Sequence, residues 1–73
     1  MTSLDLRGKT ITTFILYEAQ HALQDTAVGD RIEMVTDAFP AIDPDIAAWS
    51  RATGNRLIDV GVDGEARKYV IEN

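Results

Sequence analysis

Cysteine is absent from this sequence of 73 residues. The absence excludes disulfides, thiolate zinc sites, iron–sulfur clusters and any reaction that uses a thiol of this chain. Histidine occurs once, at His21.

Positive charge is scarce. Seven lysine and arginine residues stand against twelve acidic ones, so the formal net charge is −5 and the sequence pI is about 4.5. A surface that follows a phosphate backbone needs clustered lysine and arginine. We therefore expect neither nucleic acid nor an anionic membrane surface as a partner.

Long apolar runs are also missing. No run exceeds four residues, as in Phe14–Tyr17, whereas a helix needs about 20 to cross a bilayer. The N-terminus has no signal-peptide core. With 45% apolar and 26% charged residues, the composition is typical of a globular protein. We expect one soluble, cytoplasmic domain over residues 1–73.

The first half of the chain predicts a strand, a helix and a second strand. Residues 3–6 are short and extended, and Gly8 turns the chain after them. Between residues 11 and 24, apolar residues repeat at helical spacings, with Thr10 as the expected N-cap. Residues 31–36 alternate in polarity, which is typical of a strand.

A second helix follows a loop over residues 37–42. Asp43 is the expected N-cap, Pro44 the first helical residue and Gly54 the C-terminal stop. Its predicted apolar face consists of Ile46, Trp49, Ala52 and Thr53.

The end of the chain predicts a β-hairpin. Residues 57–62 and 66–71 are predicted to be strands, and Asp63-Gly64 between them is a strong hairpin signal. The predicted order is βαβαββ. Such an order favours a two-layer α/β sandwich, with both helices on one face of a mixed four-stranded sheet.

No catalytic motif accompanies the polar side chains. His21 has no neighbouring ligand set for a metal. Asp43 and Asp45 invite a metal or acid/base interpretation, but helix starts attract acidic residues through the helix dipole alone. Asp37 is explained as a loop residue and Ser50 has no base placed beside it. Composition and motifs thus indicate a small acidic domain without a visible active site.

Several short segments resemble the TusA/SirA-like sulfur carriers. Leu4–Gly8 (LDLRG) is similar to the opening of that family, and Gly29-Asp30 is similar to the turn before its second strand. Thr36-Asp37, followed by Pro44–Trp49, is similar to the family's stretch that leads into its second helix, and Arg51–Leu57 resembles the exit of that helix. The resemblance implies a cytoplasmic βαβαββ protein that binds a cysteine desulfurase and downstream sulfur acceptors.

The departures from the family pattern concern its chemistry. In that family a C-P-x-P motif begins the first helix. The resemblance places its sulfur-carrying cysteine at Ile11, its two prolines at Thr12 and Phe14, and a frequent second cysteine of the family at Ser50. Sulfur transfer requires a thiolate at a helix N-terminus. Ile11 has no heteroatom in its side chain and therefore cannot hold sulfur.

The leading hypothesis is a protein-binding module without cofactor or metal, whose partner is a cysteine desulfurase or another sulfur-relay protein. The helical spacing of the apolar residues favours burial of Phe14 in the core. For Ile11 the sequence does not distinguish between burial and exposure. The candidate partner-binding residues, taken from the family's motif positions, are Arg7, Gly8, Ile11, Phe14, Asp37 and Asp45.

Two alternatives belong to other classes of function. One is a small-molecule-binding domain or enzyme that uses Asp37, Asp43 and Asp45. The other is a structural subunit of a homo-oligomer, in which a partner completes the thin core of a small chain. Nucleic-acid binding ranks last because the net charge opposes it.

Overall fold

The computed structural model describes residues 2–73 and confirms the predicted order of elements. The sheet has four strands in the order β1-β2-β4-β3, in which β1 runs parallel to β2 while β4 is antiparallel to both of its neighbours. The fold is therefore an α/β sandwich with a mixed sheet. Its elements are β1 (Thr2–Asp5), α1 (Thr12–Gln24), β2 (Arg31–Asp37), α2 (Ile42–Thr53), β3 (Arg56–Asp63) and β4 (Ala66–Glu72).

The core lies between one face of the sheet and the two helices. Every second residue of β2 is buried, which confirms the alternation in its sequence. The pairing of β2 with β4 puts Ile32 opposite Ile71 and Met34 opposite Tyr69, so the central strands share one apolar face. The helices cover this face with Ile15, Ala19 and Leu23 of α1 and Ile42 and Ile46 of α2.

The topology brings several loops to one end of the sheet. Strands β1 and β2 are parallel and both lead directly into a helix. The β3–β4 turn lies at the same end, because Asp37 at the close of β2 pairs with Ala66 at the start of β4. We call this the carboxyl end of the sheet. It holds the β1–α1 loop, the first turns of both helices and the β3–β4 turn.

Both predicted helix N-caps are wrong. Helix α1 begins at Thr12, and its cap position is occupied by Ile11, which is extended and makes no side-chain cap bond. Helix α2 begins at Ile42, and its cap residue is Ala41. Asp43 lies inside the first turn because its carboxylate bonds to side chains of β4 instead of to free helix N–H groups. Pro44 fits there, since first-turn N–H groups have no intrahelical acceptor.

The prediction for Phe14 is also wrong, because its side chain is exposed. On α2, Ala52 and Thr53 are exposed, and the buried face runs through Ile42, Ile46 and Ser50 at intervals of four residues. Trp49, expected in the core, is half-buried against it.

The hairpin is confirmed with a shifted turn. Asp63 pairs with Ala66, so the two turn residues are Gly64 and Glu65. Gly64 has a φ of 63°, which fits the first position of a type II′ turn. A bulge between Leu57 and Asp59 interrupts the expected alternation of β3. As a result, Leu57 and Val60 both lie opposite core residues of β4.

Neither helix within residues 2–73 has the length and apolar character needed to cross a membrane.

Candidate functional site

The β1–α1 loop is held in place at the carboxyl end by two contacts to β2. Leu6 is buried, and its N–H donates to the carbonyl of Val35 at 2.8 Å. The N–H of Gly8 donates to Oδ2 of Asp37 at 2.7 Å. Gly8 has a φ of 91°, a conformation that a side chain would disfavour. Two predicted site residues, Gly8 and Asp37, are thus in contact, and their contact fixes the loop before α1.

Arg7 is bound to Asp5 of β1 and not to the other predicted site residues. Its Nη2 lies 2.7 Å from Oδ2 of Asp5 and its Nε lies 2.9 Å from Oδ1. The hydrogen bonds that the Arg7 side chain and backbone donate lower the pKa of Asp5 to about 2. Both side chains are well exposed. The charge of Arg7 is therefore neutralised locally, at a solvated position.

A shallow groove next to this loop is acidic. Its lining includes Asp37, Asp63 and Glu65, with Arg7 as the cation. Within residues 2–73, no group of three or more His, Asp or Glu side chains is arranged to hold a metal ion.

The outward side of α1 carries an apolar stripe. Ile11, Phe14 and Tyr17 are 55%, 59% and 61% exposed, at successive spacings of three residues. Phe14 and Tyr17 project away from the buried face of α1. We call Ile11, Phe14 and Tyr17 the α1 stripe. His21 extends it by one turn, with its ring centroid 5.3 Å from that of Tyr17.

Tyr17 was missing from the predicted site. The signal for it is the number of apolar residues in α1, which is larger than one face of a helix can bury. Residues 15, 19 and 23 fill the buried face, so residues 11, 14 and 17 had to lie elsewhere.

Asp45 and Ser50 differ in their surroundings. Asp45 is exposed in the first turn of α2, so it also lies at the carboxyl end of the sheet. Ser50 faces the core at 3% exposure, and within residues 2–73 its Oγ has no hydrogen-bond partner. A buried hydroxyl of this kind is a destabilising feature.

A cluster of three polar side chains joins α2 to β4. Asp43 accepts hydrogen bonds from Nη2 of Arg67 at 2.8 Å and from the hydroxyl of Tyr69. The bond from Tyr69, followed by Arg67, lowers the pKa of Asp43. Burial, followed by the bond to Asp43, raises the pKa of Tyr69 to about 12. The carboxylate of Asp43 is therefore ionised and engaged in holding the helix, which weakens its candidacy as an acid or base.

Comparison with protein-family models and with curated protein sequences gives no match to this chain. The likeness to the sulfur carriers therefore depends on the residues quoted for it above.

Proposed function

We propose that this chain is a protein-binding module, a cysteine-free relative of the TusA/SirA-like sulfur carriers that docks a sulfur-relay protein but transfers no sulfur. The observation that carries the proposal is the exposed α1 stripe. Its three large apolar side chains are all more than half exposed and follow one another along one side of α1, and apolar residues grouped in this way are typical of interaction sites. Covering them removes further apolar surface from water, which contributes about 25 cal/mol per Å².

The position of the stripe supports a docking role. Ile11 directly precedes α1, at the carboxyl end of the sheet. The resemblance assigns the sulfur-carrying cysteine to this same position. A partner that approached a family member here would meet Ile11 and Phe14 in this chain. Isoleucine can contribute to the contact but cannot accept a sulfur atom.

The remaining motif residues support the stripe indirectly. Gly8 and Asp37 fix the loop that leads to Ile11 through their 2.7 Å hydrogen bond. Arg7 is paired with Asp5 on the solvated surface, and Asp45 is exposed on α2. We assign direct contact with the partner to the α1 stripe, and a positioning role to Gly8 and Asp37.

A regulatory activity follows from this assignment. A chain that occupies the docking site of a cysteine desulfurase without accepting sulfur competes with functional carriers for that site. The proposal therefore includes inhibition, or scaffolding, of a sulfur-transfer step by mass action.

The experiment is a binding measurement with a purified cysteine desulfurase encoded in the same genome. We expect Phe14→Asp and Tyr17→Asp to weaken binding about tenfold or more, because a charge replaces a buried apolar contact. Val28→Asp is the matched control. Val28 is 91% exposed in the α1–β2 turn, at the opposite end of the sheet from Ile11. An unbound wild-type chain, or equal weakening by Val28→Asp, would contradict the proposal.

The alternative of a carboxylate-based site has less support. It requires Asp37, Asp43 and Asp45 to converge on one polar pocket with raised pKa values. Instead, the pKa of Asp43 is lowered by its contacts with Tyr69 and Arg67, and Asp37 accepts the N–H of Gly8.

A further inference from the structure

Strand β3 is an edge of the sheet, with β4 on one side and solvent on the other. It spans eight residues and contains neither lysine nor proline, which commonly protect a sheet edge. Its other protective features, Arg56 and the bulge, lie at its start, and the segment from Val60 to Val62 is uncharged. Val60 and Val62 are 40% and 67% exposed on it. The other edge strand, β1, has only four residues. The long edge with exposed valines is therefore β3.

The backbone of Val60 and Val62 points toward the open side. Asp63 and Ala66 flank the two-residue turn, so they form a hydrogen-bonded pair. Hydrogen-bonded and non-hydrogen-bonded pairs alternate along an antiparallel ladder. Counted back from Asp63, Val62 and Val60 belong to the non-hydrogen-bonded pairs with β4. Their N–H and C=O groups are therefore directed away from β4. These groups are available to another strand.

We propose that a second copy of this chain pairs with β3 in antiparallel fashion, about a two-fold axis at Val60. The two four-stranded sheets then form one continuous sheet. Each β3 strand has one free side, so the contact uses the same surface on both copies and closes at the dimer.

Charge selects this register from the others. Outward-pointing residues must lie opposite one another, so the axis passes through a residue and not between two. An axis at Gly61 would set Asp59 against Asp63, and an axis at Asp59 would set that residue against its own copy. Like charges directly opposite are destabilising.

In the part of β3 between the bulge and the turn, the two remaining axes, at Val60 and Val62, differ in overlap. An axis at Val62 would pair Val60 with Gly64, which lies in the turn beyond the strand. An axis at Val60 sets Asp59 against Gly61, which has no side chain, and Val62 against the bulged segment of Leu57 and Ile58. The extra residue of the bulge also brings Arg56 alongside Asp63 of the second copy at both ends. Arg56 lies 3.4 Å from Glu72 of its own copy and is highly exposed, so its side chain is accessible to a second carboxylate.

The lack of cysteine permits a direct test of the register. In the proposed dimer the two Val60 Cα atoms are opposite each other at about 5.5 Å, within the ~4.4–6.8 Å that a disulfide spans. The two Val62 Cα atoms are four residues apart along the pair, at about 13 Å. We expect Val60→Cys to form a disulfide-linked dimer under mild oxidation at least fivefold faster than Val62→Cys.

Random collision predicts the reverse order, since Val62 is more exposed than Val60. Faster cross-linking of Val62→Cys, or equal rates for the two variants, would therefore overturn the proposed register.

Sedimentation equilibrium tests the dimer without any cross-link. The wild-type mass is expected to rise from 8.0 kDa toward twice that value as concentration increases. Val60→Lys is expected to remain at 8.0 kDa with an unchanged far-UV circular dichroism spectrum. About 0.15 M salt limits repulsion between the acidic copies to a Debye length of ~8 Å.

A wild-type mass that stays at 8.0 kDa up to about 1 mM would overturn the dimer. The test is independent of the proposed function, because the α1 stripe lies on a helix and not on β3. Phe14→Asp is therefore expected to leave the self-association constant unchanged, even though it weakens docking of a relay protein.

Discussion

Ile11 occupies the N-terminal cap of α1 with an exposed side chain and no side-chain hydrogen bond. This is the position at which a helix dipole stabilises a negative charge. A thiol at residue 11 would therefore meet the electrostatic environment that activates cysteines in other proteins. The surrounding backbone needs no rearrangement for the exchange, because the side chain is exposed and cysteine is smaller than isoleucine.

The variant Ile11→Cys is expected to fold and to have a thiol pKa below the ~8.5 of a free cysteine. The pH dependence of alkylation by iodoacetamide measures this value directly, because the variant has a single thiol. Val28→Cys is the control, as it places an exposed thiol in a turn. Equal pKa values for the two thiols would show that the start of α1 does not stabilise the thiolate.

The same variant examines the proposed function. If the docking surface of a sulfur carrier is retained, Ile11→Cys is expected to gain the mass of one sulfur atom when incubated with a cysteine desulfurase and free cysteine. Mass spectrometry detects the adduct. If the folded variant binds the desulfurase but acquires no sulfur, residue 11 does not reach the active-site loop of the desulfurase, and the proposed docking position is wrong.

Ser50 carries a second prediction at the scale of one side chain. Its Oγ is buried on α2 and has no partner in the described part of the chain, residues 2–73, and such a group reduces stability by about 1–3 kcal/mol. Ser50→Ala removes the hydroxyl, keeps the rest of the packing and has a higher helix propensity. We expect the free energy of unfolding in urea to rise by about 1 kcal/mol. A lower unfolding midpoint for Ser50→Ala would contradict the burial of an unsatisfied hydroxyl.

At the scale of elements, the attachment of α2 to the sheet depends on Tyr69. Its hydroxyl donates to Asp43, which also accepts from Arg67. Tyr69→Phe removes one bond and leaves the aromatic ring in the core. We expect a loss of about 1–2 kcal/mol in the free energy of unfolding at pH 7, because the bond has a charged acceptor.

The pH dependence has a defined sign. Folding raises the pKa of Tyr69 from 10.0 to about 12, so its contribution is complete below pH 10 and is lost as the pH rises toward 12. In this range the free energy of unfolding of the wild type falls by at most about 1.4 kcal/mol per pH unit through Tyr69. We expect the stability advantage of wild type over Tyr69→Phe to narrow over this window in urea titrations. A constant difference between pH 9 and 12 would contradict the assignment.

At low pH the same cluster acts through Asp43. The pKa of Asp43 is lowered in the folded chain. Its contribution to the free energy of unfolding is therefore present above the usual carboxylate pKa, and it is lost as the pH falls through the lowered value.

The order of elements was predictable because its signals are local. Alternation in β2 and the glycine of the β3–β4 turn determine structure within a few residues. The helix starts were not predictable in this way. Asp43 bonds to Tyr69, 26 residues away, and no local pattern contains that contact. The exposure of Phe14 depends on which of two apolar rows of α1 faces the sheet, and the sheet decides it.

The candidate site was predictable in part. The motif positions indicated Ile11 and Phe14, which belong to the α1 stripe, but not Tyr17. The contact between Gly8 and Asp37 spans 29 residues. It could be inferred only after β1 and β2 were known to lie side by side in parallel. The edge position of β3 likewise depends on the order of the strands and not on the sequence of β3 alone.

At the scale of the whole molecule, Asn73 ties the last strand to the far end of α1. Its side-chain Nδ2 donates to the carbonyl oxygens of Leu23 and Thr26 at 3.0 and 3.1 Å. Its backbone N–H donates to the carbonyl of Asp30, and its carbonyl accepts from the N–H of Gly29. Asn73 thus adds donors to carbonyls at the end of α1, where Leu23 also accepts from the N–H and hydroxyl of Thr26. It also closes the α1–β2 turn, more than 40 residues earlier in the sequence.

Because a domain of this length buries only ~60% of its unfolded surface, such a closure is a substantial part of its stability. Asn73→Ala removes the amide donors to the carbonyls of Leu23 and Thr26, although the Leu23 carbonyl keeps its bonds from Thr26. We expect the free energy of unfolding to fall by about 1–2 kcal/mol, with faster amide hydrogen exchange in the α1–β2 turn. Asn73→Asp is expected to lose at least as much, because it places a carboxylate beside carbonyl oxygens.

Asn55→Ala is the matched control for this prediction. The Asn55 amide bonds to Thr53 two residues earlier, on the exposed surface, so its removal is expected to change stability by no more than about 0.5 kcal/mol. If Asn73→Ala and Asn55→Ala were equally mild, the network around Asn73 would contribute nothing beyond an ordinary surface amide. Asn73→Ala could instead lower the free energy of unfolding and leave amide hydrogen exchange in the α1–β2 turn unchanged. The lost stability would then arise elsewhere, because closing that turn is the specific effect assigned to Asn73.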